Sequence, residues 1–423
     1  MPRLRPPPAM IREERSMAKE AGHVVGIDIG TSKVATVIGK AREDGALEVT
    51  GIGKADARGM RRGIVASLDE VVACVKASVE EAELMAGYSV ERAYVGVGGC
   101  HVRGFNSRGV VAVTNRDRVI NKEDVQRVLE GSRTISFPAD QQIFHTFPQE
   151  YLVDDQDGIS QPLGMPGSRL EANVHIITGS ITSLQNLTTV VNRCGIEVAE
   201  LVLGLMADSQ DVLTADEREI GVALVNIGHG TTGIAVFEKG AIWHTHVIPI
   251  GGEHFTNDLA VGLKTGIMDA EILKKKYGCA LTSLIQEDDM VEVPAVAGKK
   301  SSMVPRSRLA EILQPRAEEL FQLLFEEIRG AGLDKTINAG LVLTGGGASL
   351  AGLPEVAEGI FDHQVRVGEP MEVVGLTNIV ATPIFATSVG LALYGAKLEA
   401  RGGGPRKKGG MFKRLLSQIK DIV

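Results

Sequence analysis

Two stretches of the chain place glycines, hydroxyl side chains and one polar residue at the end of an apolar run. In Asp28-Ile29-Gly30-Thr31-Ser32-Lys33 the glycine lets the main chain turn tightly, so that successive N–H groups can point at an anion. Thr31 and Ser32 add hydroxyl donors there, and Asp28, at the end of a buried strand, is placed to hold a hydrated Mg2+ beside phosphate oxygens. The second stretch, running from Asn226 through Gly228, His229 and Gly230 to Thr231 and Thr232, offers matching roles. Two such turns facing one another would clamp a polyphosphate from both sides. Neither is a Walker site, because GxxxxGK[ST] occurs nowhere in the chain. Taken singly, each reads equally well as a structural turn.

Two further elements carry chemistry. In LVLTGGGASLAGL (341–353) an apolar strand runs into Gly345-Gly346-Gly347, which lets a flat ligand approach the backbone closely, and a helix begins near Leu353-Pro354. In IMDAEILKKKYG (267–278) Glu271 and Lys274 or Lys275 lie one helical turn apart, able to reach ribose hydroxyls or simply to form an exposed ion pair. Other clusters carry less. The histidines show no HExxH or Cys/His spacing, so no zinc is assigned, and His145 and His175 are read as packing or hydrogen-bonding groups. Asp154, Asp155 and Asp157 precede Gly158 with the wrong spacing for a calcium loop. Cys74, Cys100, Cys194 and Cys279 are too scattered for a metal knuckle and fit a reducing cytosol.

These residues need a scaffold that brings distant segments together. The chain is 423 residues long with a hydrophobic fraction of 44%, enough for more than one domain with a sizeable core. A formal charge of −8 argues against a general nucleic-acid binder. Short β-branched runs ended by glycine, such as VVGIDIG, YVGVGG and GVALVNIG, alternate with helical stretches at 68–87, 122–133, 183–193, 306–329 and 385–399. That alternation predicts an α/β class of more than one domain. Segment 27–37 resembles 225–237, which predicts two related halves that each open with a hairpin. Residues 1–21 read as a disordered leader, with Met17 an alternative start to Met1.

The last residues form a separate device. After a Gly/Pro/Lys hinge, Met411, Phe412, Leu415, Leu416, Ile419, Ile422 and Val423 fall on one helical face, with Lys413 and Arg414 on the other. Thirteen residues make a helix of roughly 20 Å, too short to span a bilayer. The spacing predicts a helix lying in an anionic membrane interface, with packing on the chain's own domain or in a partner's groove as alternatives.

The order hairpin, hairpin, charged helix, triple-glycine strand resembles the actin-like ATPase superfamily, whose two α/β domains enclose ATP and Mg2+. Within it, HTFPQEYLVDDQDGISQPLGMPGSRLEANVHIITG (145–179), GGEHFTNDLAVGLKT (251–265), LQPRAEEL (313–320) and ATSVGLALYG (386–395) resemble the FtsA family of bacterial cell-division proteins. The resemblance covers roughly 22–400 and resumes at the final helix. It implies an actin-like fold with subdomain 1A at 22–86, 171–205 and 381–400, and an inserted subdomain 1C at 87–170. Subdomain 2A would follow at 206–250 and 322–380, 2B at 251–321, a basic linker at 401–410 and a membrane helix at 411–423. It implies ATP and Mg2+ held by the residues singled out above, with Gly251 added. It also implies a cytoplasmic protein bound peripherally to the inner face of the cytoplasmic membrane at the division site. There it would form filaments, tether the tubulin-like protein FtsZ through its C-terminal peptide on 2B and meet other division proteins. The charged helix from Leu309 through Arg316 to Ile328, with Arg306 and Arg308 before it, offers cationic contacts for that peptide, or is simply a solvated face.

The family pattern at the second hairpin is close to DIGGGTTD, and here it reads NIGHGTTG. Asn226 and Gly233 thus take the places of acidic residues, and His229 that of a glycine. The expectation is ATP binding with slow or absent hydrolysis, because charge that would organise Mg2+ and an attacking water is missing. Two alternatives are a catalytic ATPase or kinase of the same fold and an assembly scaffold resembling the pilus protein PilM.

Overall fold

The glycine-ended Val/Ile runs become the central strands of two separate sheets built on one plan. In the computed structural model, which describes residues 22–285, 289–295 and 300–400, strand His23–Ile29 pairs antiparallel with Lys33–Ala41 and parallel with Arg92–Val97. Strand Val222–Ile227 pairs antiparallel with Thr232–Glu238 and parallel with Leu341–Thr344. The first sheet is six-stranded and the second five-stranded. Both run a three-strand antiparallel meander into parallel strands, so the internal similarity seen in the sequence is a repeated half. These strands are buried on both faces, which explains their unbroken apolar character.

Helix Leu68–Ala86 packs on the first sheet through Val71, Val75, Val79 and Ala82. Gly53 allows this close approach: a Cβ there would lie 1.7 Å from the Ser78 carbonyl. In the second half, helix Arg306–Gly330 buries Leu309, Leu313, Leu320, Phe321 and Leu324 in one core with Phe255 and Leu353. The helices Gly204–Val212 and Ala386–Ala400 cross where a Cβ on Gly390 would meet the Ala207 carbonyl at 2.1 Å.

The insertion is a four-stranded sheet, ordered Arg103–Ala112, Arg169–Ser180, Gln141–Val153, Gln156–Ile159, covered by helix Lys122–Ser132. It has its own core of Ile120, Val125, Leu129, Leu170 and Ile176. The expected limits of 87–170 are corrected at both ends. Arg92–Val97 belongs to the first sheet, and Arg169–Ser180 is an inner strand of the insertion. Val373–Gly375, expected in the second half, pairs with Leu47–Val49 at the edge of the first sheet. Short segments joining sheets in this way leave no compositional mark.

The expected leader and linker lie outside the described residues, as does the amphipathic helix with Met411, Phe412, Lys413, Arg414, Leu415, Leu416, Ile419, Ile422 and Val423. Among the described residues no helix is long and apolar enough to cross a membrane.

Candidate functional site

Both hairpins turn in the same way. The Gly30 amide donates to the Lys33 carbonyl and the Gly228 amide to the Thr231 carbonyl, each at 2.9 Å. Asp28 and Asn226 occupy equivalent positions, one residue before the last strand pair, opposite Ala35 and Gly233. The two turns face each other closely, since a Cβ added to Gly230 would reach van der Waals contact with the Thr31 side chain at 3.4 Å. They form the floor of a cleft of about 780 Å3 between the two halves.

Most of the sequence-predicted residues line this cleft: Asp28, Gly30, Thr31, Ser32, Lys33, Asn226, Gly228, Gly230, Thr231, Glu271, Lys274, Lys275, Gly345, Gly346 and Gly347. Two others sit behind it. Thr232 is fully buried and its hydroxyl donates to the Ile250 carbonyl at 2.8 Å. Gly251 packs beneath the second turn, where a Cβ would meet the His229 carbonyl at 2.6 Å. Both shape the cradle instead of lining it.

Lys33 Nζ lies 3.4 Å from Asp28 Oδ2 at the cleft wall. On the far side, Lys274 is held by Glu271 at 2.7 Å, the Gly252 carbonyl at 2.8 Å and the Thr256 hydroxyl at 2.7 Å. Glu271 also accepts from Thr256 and from Lys275. Burial pushes the Glu271 carboxyl up, but its lysine and threonine partners outweigh that and hold it below the ordinary value. This network ties helix Ile267–Tyr277 to helix Gly252–Leu263 along the cleft wall.

The three arginines proposed for a partner are all engaged. Arg306 lines the cleft, donating to the Tyr277 carbonyl at 2.8 Å and to Asp289. Arg308 pairs with Glu311, and Arg316 makes a two-pronged contact with Asp258 and a further one with Glu319. His145 and His175 do bond internally: His145 Nε2 accepts from the Leu203 amide, and His175 bridges Asn106 and Thr245. Asp154 accepts from the Ser168 amide and hydroxyl, a contact between the end of strand Gln141–Val153 and the start of Arg169–Ser180.

Sequence reading missed Asp208. It lies on helix Gly204–Val212, fully buried, and takes Asn226 Nδ2 on Oδ2 at 2.6 Å and the Thr387 hydroxyl on Oδ1 at 2.7 Å. Burial pushes its carboxyl up to about 7, against the pull of those two hydrogen bonds. The second hairpin therefore lacks a carboxylate in its own sequence but contacts one in space. No local motif marks Asp208; only the helix crossing brings it there.

Among the described residues no group of three metal-ligating side chains converges. Mg2+ keeps several waters and is bound through one or two carboxylates plus substrate phosphates, so it would not require such a group. Asp28 and the Asn226 amide supply oxygens of the required hard character at the mouth of the turns.

A family model described as "SHS2 domain inserted in FTSA" matches residues 99–178, and one described as "Cell division protein FtsA" matches 223–390. The FtsA of Pseudomonas aeruginosa is 45% identical over 379 residues, covering 90% of each chain. The chain belongs to the FtsA family of cell-division proteins. Its fold is actin-like. A PilM-PilN type IV pilus biogenesis complex structure matches with a TM-score of 0.64 at 18% identity, over 88% of this chain and 98% of the other. MreB5 of Spiroplasma citri bound to ADP matches with a TM-score of 0.56 at 12% identity, over 91% and 100%. The SHS2 match agrees with the sheet boundaries, starting after Val97 and ending within Arg169–Ser180.

Proposed function

We propose that this FtsA-family protein binds ATP with Mg2+ in the cleft and links FtsZ filaments to the cytoplasmic membrane. The observation that carries the nucleotide part is the pair of equivalent turns meeting across one cleft, each with a polar residue at its base. The triphosphate would lie between Gly30–Lys33 and Gly228–Thr231, with the adenosine against Gly345–Gly347. Bound Mg2+ would neutralise phosphate charge; Asp28 and Asn226 would accept hydrogen bonds from its water shell, and Lys33 would keep the Asp28 carboxylate oriented. The ADP held by the MreB5 relative supports a nucleotide as the ligand class. Turnover is expected to be slow, since the position equivalent to Asp28 on the second hairpin is the amide Asn226, and the carboxylate behind it, Asp208, is buried and hydrogen-bonded.

Around the Gly252–Tyr277 region, Val261, Ile267, Met268 and Ile272 are exposed apolar side chains, which favours docking of a peptide with apolar anchors. With Arg306 and Arg316 already paired, apolar contact is the larger share of that docking. The terminal helix would anchor weakly alone, and filament formation would add avidity.

Titration with a fluorescent ATP analogue should show saturable binding, weakened about tenfold or more in Asp28→Ala. Co-sedimentation with FtsZ on anionic liposomes should require residues 411–423, while their deletion leaves nucleotide binding intact. Pelleting without the tail would remove it from the mechanism, and fast phosphate release abolished by Asp28→Ala would favour a catalytic ATPase.

A further inference from the structure

Asn226 and Asp208 are in direct contact although 18 residues apart in sequence. The amide nitrogen of Asn226 is committed to Asp208 Oδ2 at 2.6 Å, with Thr387 Oγ1 at 3.3 Å. Because that carboxylate oxygen can only accept, Asn226 Oδ1 must face the other way. It lies against the glycine turn of the cleft, where a Cβ on Gly345 would come within 2.3 Å of it. The orientation holds whether or not Asp208 carries a proton, since a proton on Oδ1 would simply be donated to Thr387. An aspartate at 226 would instead set two carboxyl groups 2.6 Å apart, where the contact persists only if they share a proton, so two ionised acids at 226 and 208 exclude each other.

We propose that Asn226 and Asp208 are a matched pair, in which Asp208 is the positioning residue that turns the Asn226 carbonyl oxygen to the Gly345 side of the cleft, where it would accept from the water shell of the nucleotide's metal. The hairpin has no acid at 226 but meets one on helix Gly204–Val212, and the asparagine presents an oxygen beside it. Thr387, on the Ala386–Ala400 helix, is the third member, so both crossing helices hold the orientation. Asp28 and Lys33 are the nearest charged groups from the first hairpin. This inference rests on nucleotide binding in the cleft, but the pairing itself does not.

The test is a double-mutant cycle with Asp208→Asn, Asn226→Asp and the reciprocal swap carrying both, in the full-length protein. Fluorescent ATP binding is measured with Mg2+ and with EDTA, and melting temperature without nucleotide. Each single variant should lose on the order of tenfold of the Mg2+-dependent gain in affinity while EDTA binding stays nearly unchanged. Asn226→Asp should also melt lower. The swap, in which residue 208 donates and residue 226 accepts, should recover both properties. Additive effects in the double variant, or singles that match wild type, would overturn the pairing. If wild type binds no nucleotide under either condition, the function proposed above fails, while recovery of the melting temperature in the swap still supports the pair and its absence refutes it.

Discussion

Asp211 lies three residues after Asp208, on the same helix, 1% exposed and with both carboxylate oxygens unpartnered. Burial, reinforced by the charge of Asp208, pushes its carboxyl well above the ordinary value. A carboxyl raised in the folded state takes up a proton there that the unfolded chain has already released. Stability from this residue therefore falls as pH rises above about 4, by up to about 1.4 kcal/mol per pH unit until the folded form ionises. Asp208 acts in the same direction up to about 7. Asp211→Asn should flatten the decline, read as urea midpoints between about pH 5 and 8. An unchanged slope would mean that Asp211 is ionised or solvated.

At the scale of elements, the crossing of Gly204–Val212 and Ala386–Ala400 sets the site. The first brings Asp208 and the second Thr387, and the two are separated by 179 residues in sequence. Their approach depends on Gly390, whose Cβ would collide with the Ala207 backbone carbonyl at 2.1 Å, a contact that no rotamer change relieves. Gly390→Ala should cost about 1–3 kcal/mol and loosen the Asp208–Thr387 contact. Denaturant melts and nucleotide affinity should therefore both fall.

Across the whole molecule, the insertion from the first half grips the edge strand Ala241–Ile248 of the second. His175, fully buried, joins Asn106 at 2.6 Å to Thr245 at 2.9 Å, while Asn106 and Gln149 donate to the Trp243 carbonyl. A second set of contacts on that strand joins His244 and His246 to Glu327. Burial, with a smaller contribution from His244, lowers His175 to about 3, and burial alone does the same to His145. A histidine lowered in the folded state stabilises above its unfolded value and loses that contribution as pH falls from about 6.5 toward 3. Acid should therefore weaken the contact between the halves. His175→Gln should reduce the loss of melting temperature on going from about pH 7 to 5, and an identical acid profile would assign the loss to His145 and the other groups.

The sequence by itself determined the local geometry. Gly30 and Gly228 specify their turns through backbone freedom, Val and Ile runs specify strands, and apolar spacing specifies the Leu68–Ala86 and Arg306–Gly330 helices, because each of these preferences acts within a few residues. The similarity of 27–37 to 225–237 made the repeated half legible, and Asp28 with its facing turn followed from it. Tertiary structure decided what lies behind the turns. Asp208 has no signature in the chain, and its contact with Asn226 arises from packing helix Gly204–Val212 against strand Val222–Ile227. The placement of Arg306 in the cleft and of Val373–Gly375 in the first sheet has the same origin: burial and pairing between distant segments depend on which surfaces meet, and that information is spread over the whole chain.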